Sequence, residues 1–156
     1  MTLTTDIKIS LYEQDYQLWL EQTLNQLRNG DFDPIDLDNL IEELESLGKS
    51  DKHAISSYLM RLCEHLLKVK YWESEREACL RGWDIEITNF RIEIQKRLKT
   101  SPSLKRYLQD SFLSEYTYAR KLFLKTSQLD PDLIPEEPCF TLDRALDEDW
   151  IGCDRD

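Results

Sequence analysis

The chain has 156 residues, of which 31 are acidic and 20 are Lys or Arg, so its formal net charge is -11 at pH 7. This length fits one ordinary domain, and 40% apolar residues suffice for one core without a stabilising metal or disulfide. No stretch approaches the roughly 20 consecutive apolar residues of a membrane-spanning helix, and Asp6 and Lys8 stand where a secretory leader would be apolar. We therefore expect a cytoplasmic protein.

Two helices are predicted in the first third of the chain. Ser10 and Glu13 form a Ser-x-x-Glu capping box, which predicts a helix that ends near Asn29. Its buried face is predicted from three- and four-residue spacing: Tyr12, Tyr16, Trp19, Leu20, Leu24 and Leu27. Asp36 is expected to cap a second, acidic helix, which Gly48 closes. The apolar stripe of this helix, which we expect to be buried in the shared core, is Leu37, Leu40, Ile41, Leu44 and Leu47.

The middle of the chain predicts two further helices. Ser50 is expected to cap the third helix, whose buried stripe is Ile55, Tyr58, Leu59, Leu62, Leu66 and Val69. Ser74 and Glu77 form another capping box, which predicts a fourth helix with the stripe Trp83, Ile87, Phe90, Ile94 and Leu98. Gly82 and the alternating residues 84–88 leave open a start of this helix after Gly82.

A fifth helix and an irregular tail complete the chain. Ser101 followed by Pro102 predicts a helix that runs to about Ser127, with a bend near Asp110 left open. Its stripe is Leu104, Tyr107, Leu108, Phe112, Tyr116, Ala119 and Phe123. Residues 130–138 contain three of the five prolines and are expected to be extended. In the tail, two further expectations are a single helical turn capped by Thr141 and a contact with the bundle through Trp150 and Ile151.

These elements predict an all-α protein, an up-and-down bundle of four to five helices with an irregular acidic C-terminal tail. Residues 1–129 are expected to form the bundle. Residues 130–156 are expected to be an extended segment packed on it, within a single domain.

Several strings resemble the bacterial family called domain of unknown function 29. The most specific one runs from Asp36 to Gly48, and the others include 11–20, 65–68, 101–104 and the closing Phe140-Thr141-Leu142. The resemblance covers roughly residues 11–146. It implies an all-helical bundle and supplies no accepted catalytic residues.

Charge is unevenly distributed along the chain. Residues 1–60 hold 12 acids and 4 bases, residues 61–125 hold 9 and 14, and residues 126–156 hold 10 and 2. The basic middle contains cations interleaved with aromatics, the candidate binding residues Lys70, Tyr71, Trp72, Arg76, Arg81 and Trp83. Such a mixture stacks on bases or binds an anionic ligand. We prefer the alternative in which the Trp rings pack inward and the cations cover the surface, and the acidic total disfavours nucleic acid.

Carboxylates and imidazoles on neighbouring helices indicate a possible metal site. Glu42 and Glu45 are three residues apart, and His65 lies on the next predicted helix. The Glu-x-x-His element of di-iron bundles is absent from the sequence. We therefore favour an exposed acidic face and a hydrogen-bonded imidazole, and we expect no cofactor.

The cysteine spacing matches no redox or zinc motif. Cys63, Cys79, Cys139 and Cys153 contain no Cys-x-x-Cys pair, so we expect reduced thiols, with Cys63 buried. A nucleophilic pair of Cys79 with His65 is left open. Gly-rich phosphate loops, the Gly-x-Ser-x-Gly elbow and His-Glu-x-x-His are also absent from the sequence.

Three functions follow as hypotheses. The first is a non-catalytic interaction or adaptor module that binds a protein partner or associates with itself. The second is a metal-dependent enzyme that uses Glu and His on facing helices. The third is binding of nucleic acid or an anionic ligand by the basic middle segment. No membrane partner is expected, and no catalytic residue is assigned.

Overall fold

The computed structural model describes residues 9–152 and shows an all-α protein in that range. Its α-helices are α1 (Leu11–Gln14), α2 (Tyr16–Arg28), α3 (Leu37–Tyr71), α4 (Glu73–Thr100), α5 (Leu104–Ser127) and α6 (Leu142–Leu146). A 3-10 helix covers Pro131–Leu133, and no β-strand occurs between residues 9 and 152. The predicted all-α class is confirmed, whereas the up-and-down order stays a prediction.

The chain divides into two compact units, unit 1 (Met1–Gly48) and unit 2 (Lys49–Asp156). Their described parts are residues 9–48 and 49–152. The predicted boundary between residues 129 and 130 stays a prediction. Within residues 9–152, none of the helices has the length and apolarity that a membrane crossing requires.

The first predicted helix is interrupted at Asp15. The backbone of Asp15 is extended, with φ -149° and ψ 90°, and its Oδ1 accepts a hydrogen bond from the Leu18 backbone N–H at 3.0 Å. Ser10 precedes α1, but its side chain makes no capping hydrogen bond. The predicted capping box of Ser10 and Glu13 is therefore wrong, because Asp15 supplies the side-chain cap, at the start of α2.

The second and third predicted helices are one helix, α3, of 35 residues. Gly48 and Ser50, which were expected to end one helix and to begin the next, both lie inside α3. Gly48 does not have the positive φ of a left-handed cap, and a Cβ added there would meet no atom within 4 Å. The predicted break is wrong, because one exposed glycine costs a helix only about 1 kcal/mol.

The fourth helix begins slightly earlier than predicted. α4 starts at Glu73, so Ser74 lies in its first turn, and Trp72 occupies the N-cap without a side-chain hydrogen bond. The predicted capping box of Ser74 and Glu77 is therefore wrong. Gly82 lies inside α4, which also excludes the later start.

The fifth helix begins slightly later than predicted. Ser103 occupies the N-cap of α5, so Ser101 and Pro102 precede the helix rather than open it. The helix is unbroken to Ser127, the predicted end. A turn of Ser101, Pro102 and Ser103 therefore separates α4 from α5.

The core of unit 2 confirms the stripes predicted for α4, α5 and the second half of α3. The stripe residues with no exposed surface are Ile55, Leu59, Leu62, Leu66, Val69, Ile87, Ile94, Leu108, Tyr116, Ala119 and Phe123. Full burial of an aliphatic or aromatic side chain contributes roughly 1.5–3 kcal/mol. These side chains therefore supply most of the apolar stabilisation of unit 2.

The segment after α5 is tied to that helix through its own backbone carbonyls. The Arg120 Nε donates a hydrogen bond to the Ile134 carbonyl at 3.0 Å. The Tyr116 hydroxyl donates to the Pro135 carbonyl at 2.8 Å, and Ile134 is buried. Side chains of α5 thus satisfy the carbonyls of Ile134 and Pro135, which follow the 3-10 helix.

The last described residues are held by a buried cation of α4. The Arg91 Nε donates to the Ala145 carbonyl at 2.9 Å, and the Arg91 Nη2 donates to the Trp150 carbonyl at 2.5 Å. The Trp150 ring lies 5.5 Å from the Phe140 ring, centroid to centroid, and Ile151 is half-buried. The predicted contact of Trp150 with the rest of the protein is confirmed within unit 2.

Side-chain caps define both short helices of the C-terminal segment. The Asp130 Oδ1 accepts from the Asp132 backbone N–H at 3.0 Å, which caps the 3-10 helix and interrupts the extended course predicted for residues 130–138. The Thr141 Oγ1 accepts from the Arg144 backbone N–H at 3.1 Å. The predicted cap of the final helical turn is confirmed.

Replacing Asp15 with Ala is expected to lower the free energy of unfolding by about 1 kcal/mol, because the Leu18 N–H loses its acceptor. Asp15→Asn keeps an acceptor oxygen and is the matched control, while Ser10→Ala should be nearly neutral. Urea denaturation followed by circular dichroism measures the differences. A loss for Ser10→Ala equal to that for Asp15→Ala would contradict the observed cap.

Replacing Gly48 with Ala is expected to raise the free energy of unfolding by about 0.5–1 kcal/mol, because Gly48 lies in a helix interior with open space around it. Gly30, with φ at 68°, is the contrasting position, and Gly30→Ala should destabilise the protein. Thermal melts of both variants give the comparison. Destabilisation by Gly48→Ala would show that the helix does end there.

Candidate interaction surface

The tryptophans of the predicted basic cluster pack against each other and the core. The rings of Trp72 and Trp83 stack with centroids 5.9 Å apart, and the edge of Trp72 meets Phe123 at 6.2 Å. Only 9% of the Trp83 surface is exposed to solvent. These two rings therefore offer little free face for stacking on a base.

The cations of the same cluster have different roles. The Arg76 guanidinium donates to the carbonyls of Val69 and Lys70, each at 2.7 Å, so it satisfies the end of α3. The Lys70 Nζ lies 5.6 Å from the centre of the Tyr71 ring. Arg81 is exposed on α4. Of the three cations, Arg76 therefore has a structural role at the end of α3.

Three of the six candidate binding residues line one cleft of about 510 Å³. The lining residues are Lys70, Tyr71, Trp72, Glu73, Ser74, Leu129 and Leu133. The single cation is accompanied by the carboxylate of Glu73, which opposes an anion. Binding of an anionic ligand there stays a prediction.

The metal candidates do not stand on facing helices. Glu42, Glu45 and His65 all belong to α3, and both glutamates are exposed. Between residues 9 and 152 there is no group of three or more His, Cys, Asp or Glu side chains placed to hold a metal ion. The carboxylates of Glu42 and Glu45 instead belong to an exposed acidic flank.

His65 takes part in a partly buried ionic cluster of unit 2. Its Nδ1 lies 2.9 Å from the Arg61 carbonyl and 3.3 Å from a Glu64 carboxylate oxygen. The Lys68 Nζ lies 3.0 Å from the other Glu64 oxygen. Burial raises the pKa of Glu64, but the hydrogen bonds from His65 and Lys68 outweigh it and hold that pKa below its usual value. The cluster therefore keeps Glu64 ionised.

The described cysteines are free thiols in different surroundings. Cys63 is buried in the core, and burial raises the pKa of its thiol. Cys79 is half-buried, and no hydrogen bond between Cys79 and His65 is present among residues 9–152. Cys139 is exposed, while Cys153 lies outside the described residues. A raised thiol pKa leaves Cys63 protonated and a poor nucleophile.

Unit 1 exposes the apolar stripe that was expected to be buried in the second predicted helix. Leu37, Ile41, Leu44 and Leu47 are 60%, 46%, 60% and 58% exposed. Their steps of four, three and three residues place them on one side of α3. In the first predicted helix, Tyr16, Leu24 and Leu27 are exposed as well. The predicted burial of these residues is therefore wrong.

Carboxylates flank this stripe. Asp38, Glu42 and Glu45 are exposed and lie beside it on α3, at neighbouring helix positions. We call Leu37, Ile41, Leu44, Leu47, Asp38, Glu42 and Glu45 the acidic apolar surface. Residues 9–48 as a whole hold ten acidic side chains against one Arg. The apolar strip is thus set in a strongly negative unit.

A small aromatic cluster fixes α1 and α2 against α3 within unit 1. The Tyr12 hydroxyl donates to Glu43 at 3.0 Å, and the Tyr16 hydroxyl donates to the other oxygen of the same carboxylate. Trp19 is buried beside both tyrosine rings. The bond to Glu43 raises the pKa of Tyr16 to about 12. Glu43 is thereby occupied by unit 1 itself, unlike its neighbours Glu42 and Glu45.

Sequence reasoning found the residues of the acidic apolar surface and predicted the exposure of Glu42 and Glu45, but it placed the apolar residues in the wrong environment. Periodicity shows that one side of a helix is apolar, and it carries no information about what covers that side.

The fold and this surface define an all-helical protein with an exposed acidic apolar face. A family model described as Domain of unknown function DUF29 matches residues 11–151. The match covers nearly the whole chain, so the chain belongs to this family and the resemblance is confirmed. No curated protein and no solved structure matches the chain.

Replacing Glu64 with Gln is expected to lower the free energy of unfolding at pH 7 by about 1–3 kcal/mol, because the buried carboxylate accepts charge-assisted hydrogen bonds. The pKa of Glu64 is lower in the folded protein, so this stabilisation is present above the unfolded pKa and is lost as the pH falls through the folded pKa. Urea titrations at several pH values test this, with exposed Glu86→Gln as the control. A pH-independent difference between wild type and Glu64→Gln would contradict the ionic role.

Proposed function

We propose that this protein is a non-catalytic protein-interaction module that acts in the cytoplasm through the acidic apolar surface of unit 1. The observation that carries the proposal is the row Leu37, Ile41, Leu44 and Leu47, exposed along one side of α3. Monomeric proteins rarely expose contiguous apolar patches larger than roughly a few hundred Å², and such larger patches mark interaction sites.

The energetics of the row support an association. The four side chains of the row are 46–60% exposed, so covering each contributes roughly half of the 1.5–3 kcal/mol of full burial. Association costs roughly 4–15 kcal/mol in lost translational and rotational freedom. The row alone thus offsets a substantial part of the cost of holding a partner.

The state of the thiols supports the proposed location. Cys63, Cys79 and Cys139 are all free in the described structure. Unpaired thiols, one of them exposed, are typical of a reducing compartment. The metal-dependent and nucleic-acid hypotheses stay predictions.

The proposal is tested by site-specific photo-crosslinking in the cells that naturally make the protein. A photoreactive amino acid replaces Leu44, or as a control Tyr118, which is exposed to a similar degree, 58% against 60%, on unit 2. We expect a crosslinked product of discrete mass from position 44 and none from position 118. An equal pattern from both positions, or no product from position 44, would overturn the proposal.

A further inference from the structure

We infer that the partner of the acidic apolar surface is a basic amphipathic helix of another protein. Its apolar side chains would cover Leu37, Ile41 and Leu44, and its Lys or Arg side chains would meet the flanking carboxylates. This inference rests on the proposed function and adds the chemistry of the partner.

The shape of the surface fits a helix. The apolar residues from Leu37 to Leu47 recur at three- and four-residue steps, the spacing that accepts the side chains of a packed partner helix. Ten residues of helix span about 15 Å, which matches roughly three turns of an approaching helix. A peptide that binds by strand addition needs a sheet edge, and no strand is found in the described part of the chain.

The same helix already shows how this pattern is covered. Further along α3, Ile55, Leu59 and Leu62 follow the same steps and have no exposed surface. They belong to a core with apolar side chains of α4 and α5, so helices cover them. The stripe from Leu37 to Leu47 therefore has the pattern of a helix-packing surface, and no helix between residues 9 and 152 covers it.

Charge selects the partner. Ten acids against one Arg in residues 9–48 repel a second copy of the same surface, an anionic membrane and nucleic acid. The carboxylates of Asp38, Glu42 and Glu45 are exposed, and no salt bridge joins them to a cation within residues 9–152. A helix with cations beside its apolar strip satisfies both features, because opposite charges steer association and set its orientation.

The probe is a fluorescent amphipathic peptide of about 18 residues, with Leu on one face and Lys on the other, added to the full purified chain. Its matched control replaces every Lys with Glu. Fluorescence anisotropy reports binding. We expect the Lys peptide to bind, the Glu peptide not to bind, and the affinity for the Lys peptide to fall about tenfold or more between low and high salt.

Protein variants assign the binding to the surface. Ile41→Ser with Leu44→Ser should weaken binding about tenfold or more, because two apolar contacts are lost. The matched control is Leu113→Ser with Leu122→Ser, two exposed residues of unit 2, which should leave binding unchanged. Because all four residues are exposed, circular dichroism should show both proteins folded.

A second pair of variants isolates the charge. Neutralising Glu42 and Glu45 with Gln should weaken binding of the Lys peptide about threefold or more and reduce its salt dependence. The same change at Glu136 and Glu137, which are exposed on unit 2, removes equal charge from the chain and should have little effect.

Each contrary outcome has a defined meaning. Binding that survives Ile41→Ser with Leu44→Ser, or equal binding of the Glu peptide, overturns the inference. Failure of the Lys peptide to bind also overturns it, and a self-association that Leu44→Ser abolishes would show that a second copy is the occupant. If the Lys peptide does not bind, or if a second copy is the occupant, a crosslink from position 44 still supports the proposed function. If that crosslink is also absent, the proposed function is overturned as well.

Discussion

One apolar stripe on one helix organises the molecule. Along α3 the apolar positions keep three- and four-residue steps, except for a short polar interval that begins at Gly48. From Ile55 to Val69 the stripe is sealed beneath the other helices of unit 2, and from Leu37 to Leu47 it is open to solvent. Both halves obey the same periodicity, so the difference between the buried half and the exposed half comes from what covers them.

Three arginines of the middle segment bind backbone carbonyls. Arg76 binds carbonyls at the end of α3, and Arg91 binds the carbonyls of Ala145 and Trp150. Arg120 binds the carbonyl of Ile134 and anchors the loop after α5. Guanidinium groups suit this role, since several fixed N–H donors can satisfy carbonyls where helical hydrogen bonding has ended. The positive balance of this segment is therefore less available to an external anion than its sequence indicates.

The sequence was most informative where an apolar helix face is buried by other helices of the same unit and where a helix end has a local signal. It located the buried stripe around Leu62, the final helix cap at Thr141 and the end of α5 at Ser127. It failed at Asp15 and Gly48, because a side-chain cap and a glycine inside a helix each change the stability of a helix by only about 1 kcal/mol. Tertiary packing outweighs preferences of that size. The exposure of the first stripe could not be predicted, since periodicity identifies an apolar side of a helix and does not show what covers it.

The exposure of one half of the α3 stripe and the burial of the other can be measured directly as the solvent accessibility of leucine methyl groups. The experiment is NMR of the full methyl-labelled chain with a soluble paramagnetic agent. The account predicts strong signal loss for Leu37, Leu44 and Leu47. It predicts protection of Leu59 and Leu62, which belong to the same helix. Equal protection of the two sets would show that the chain covers its own stripe and would contradict the account.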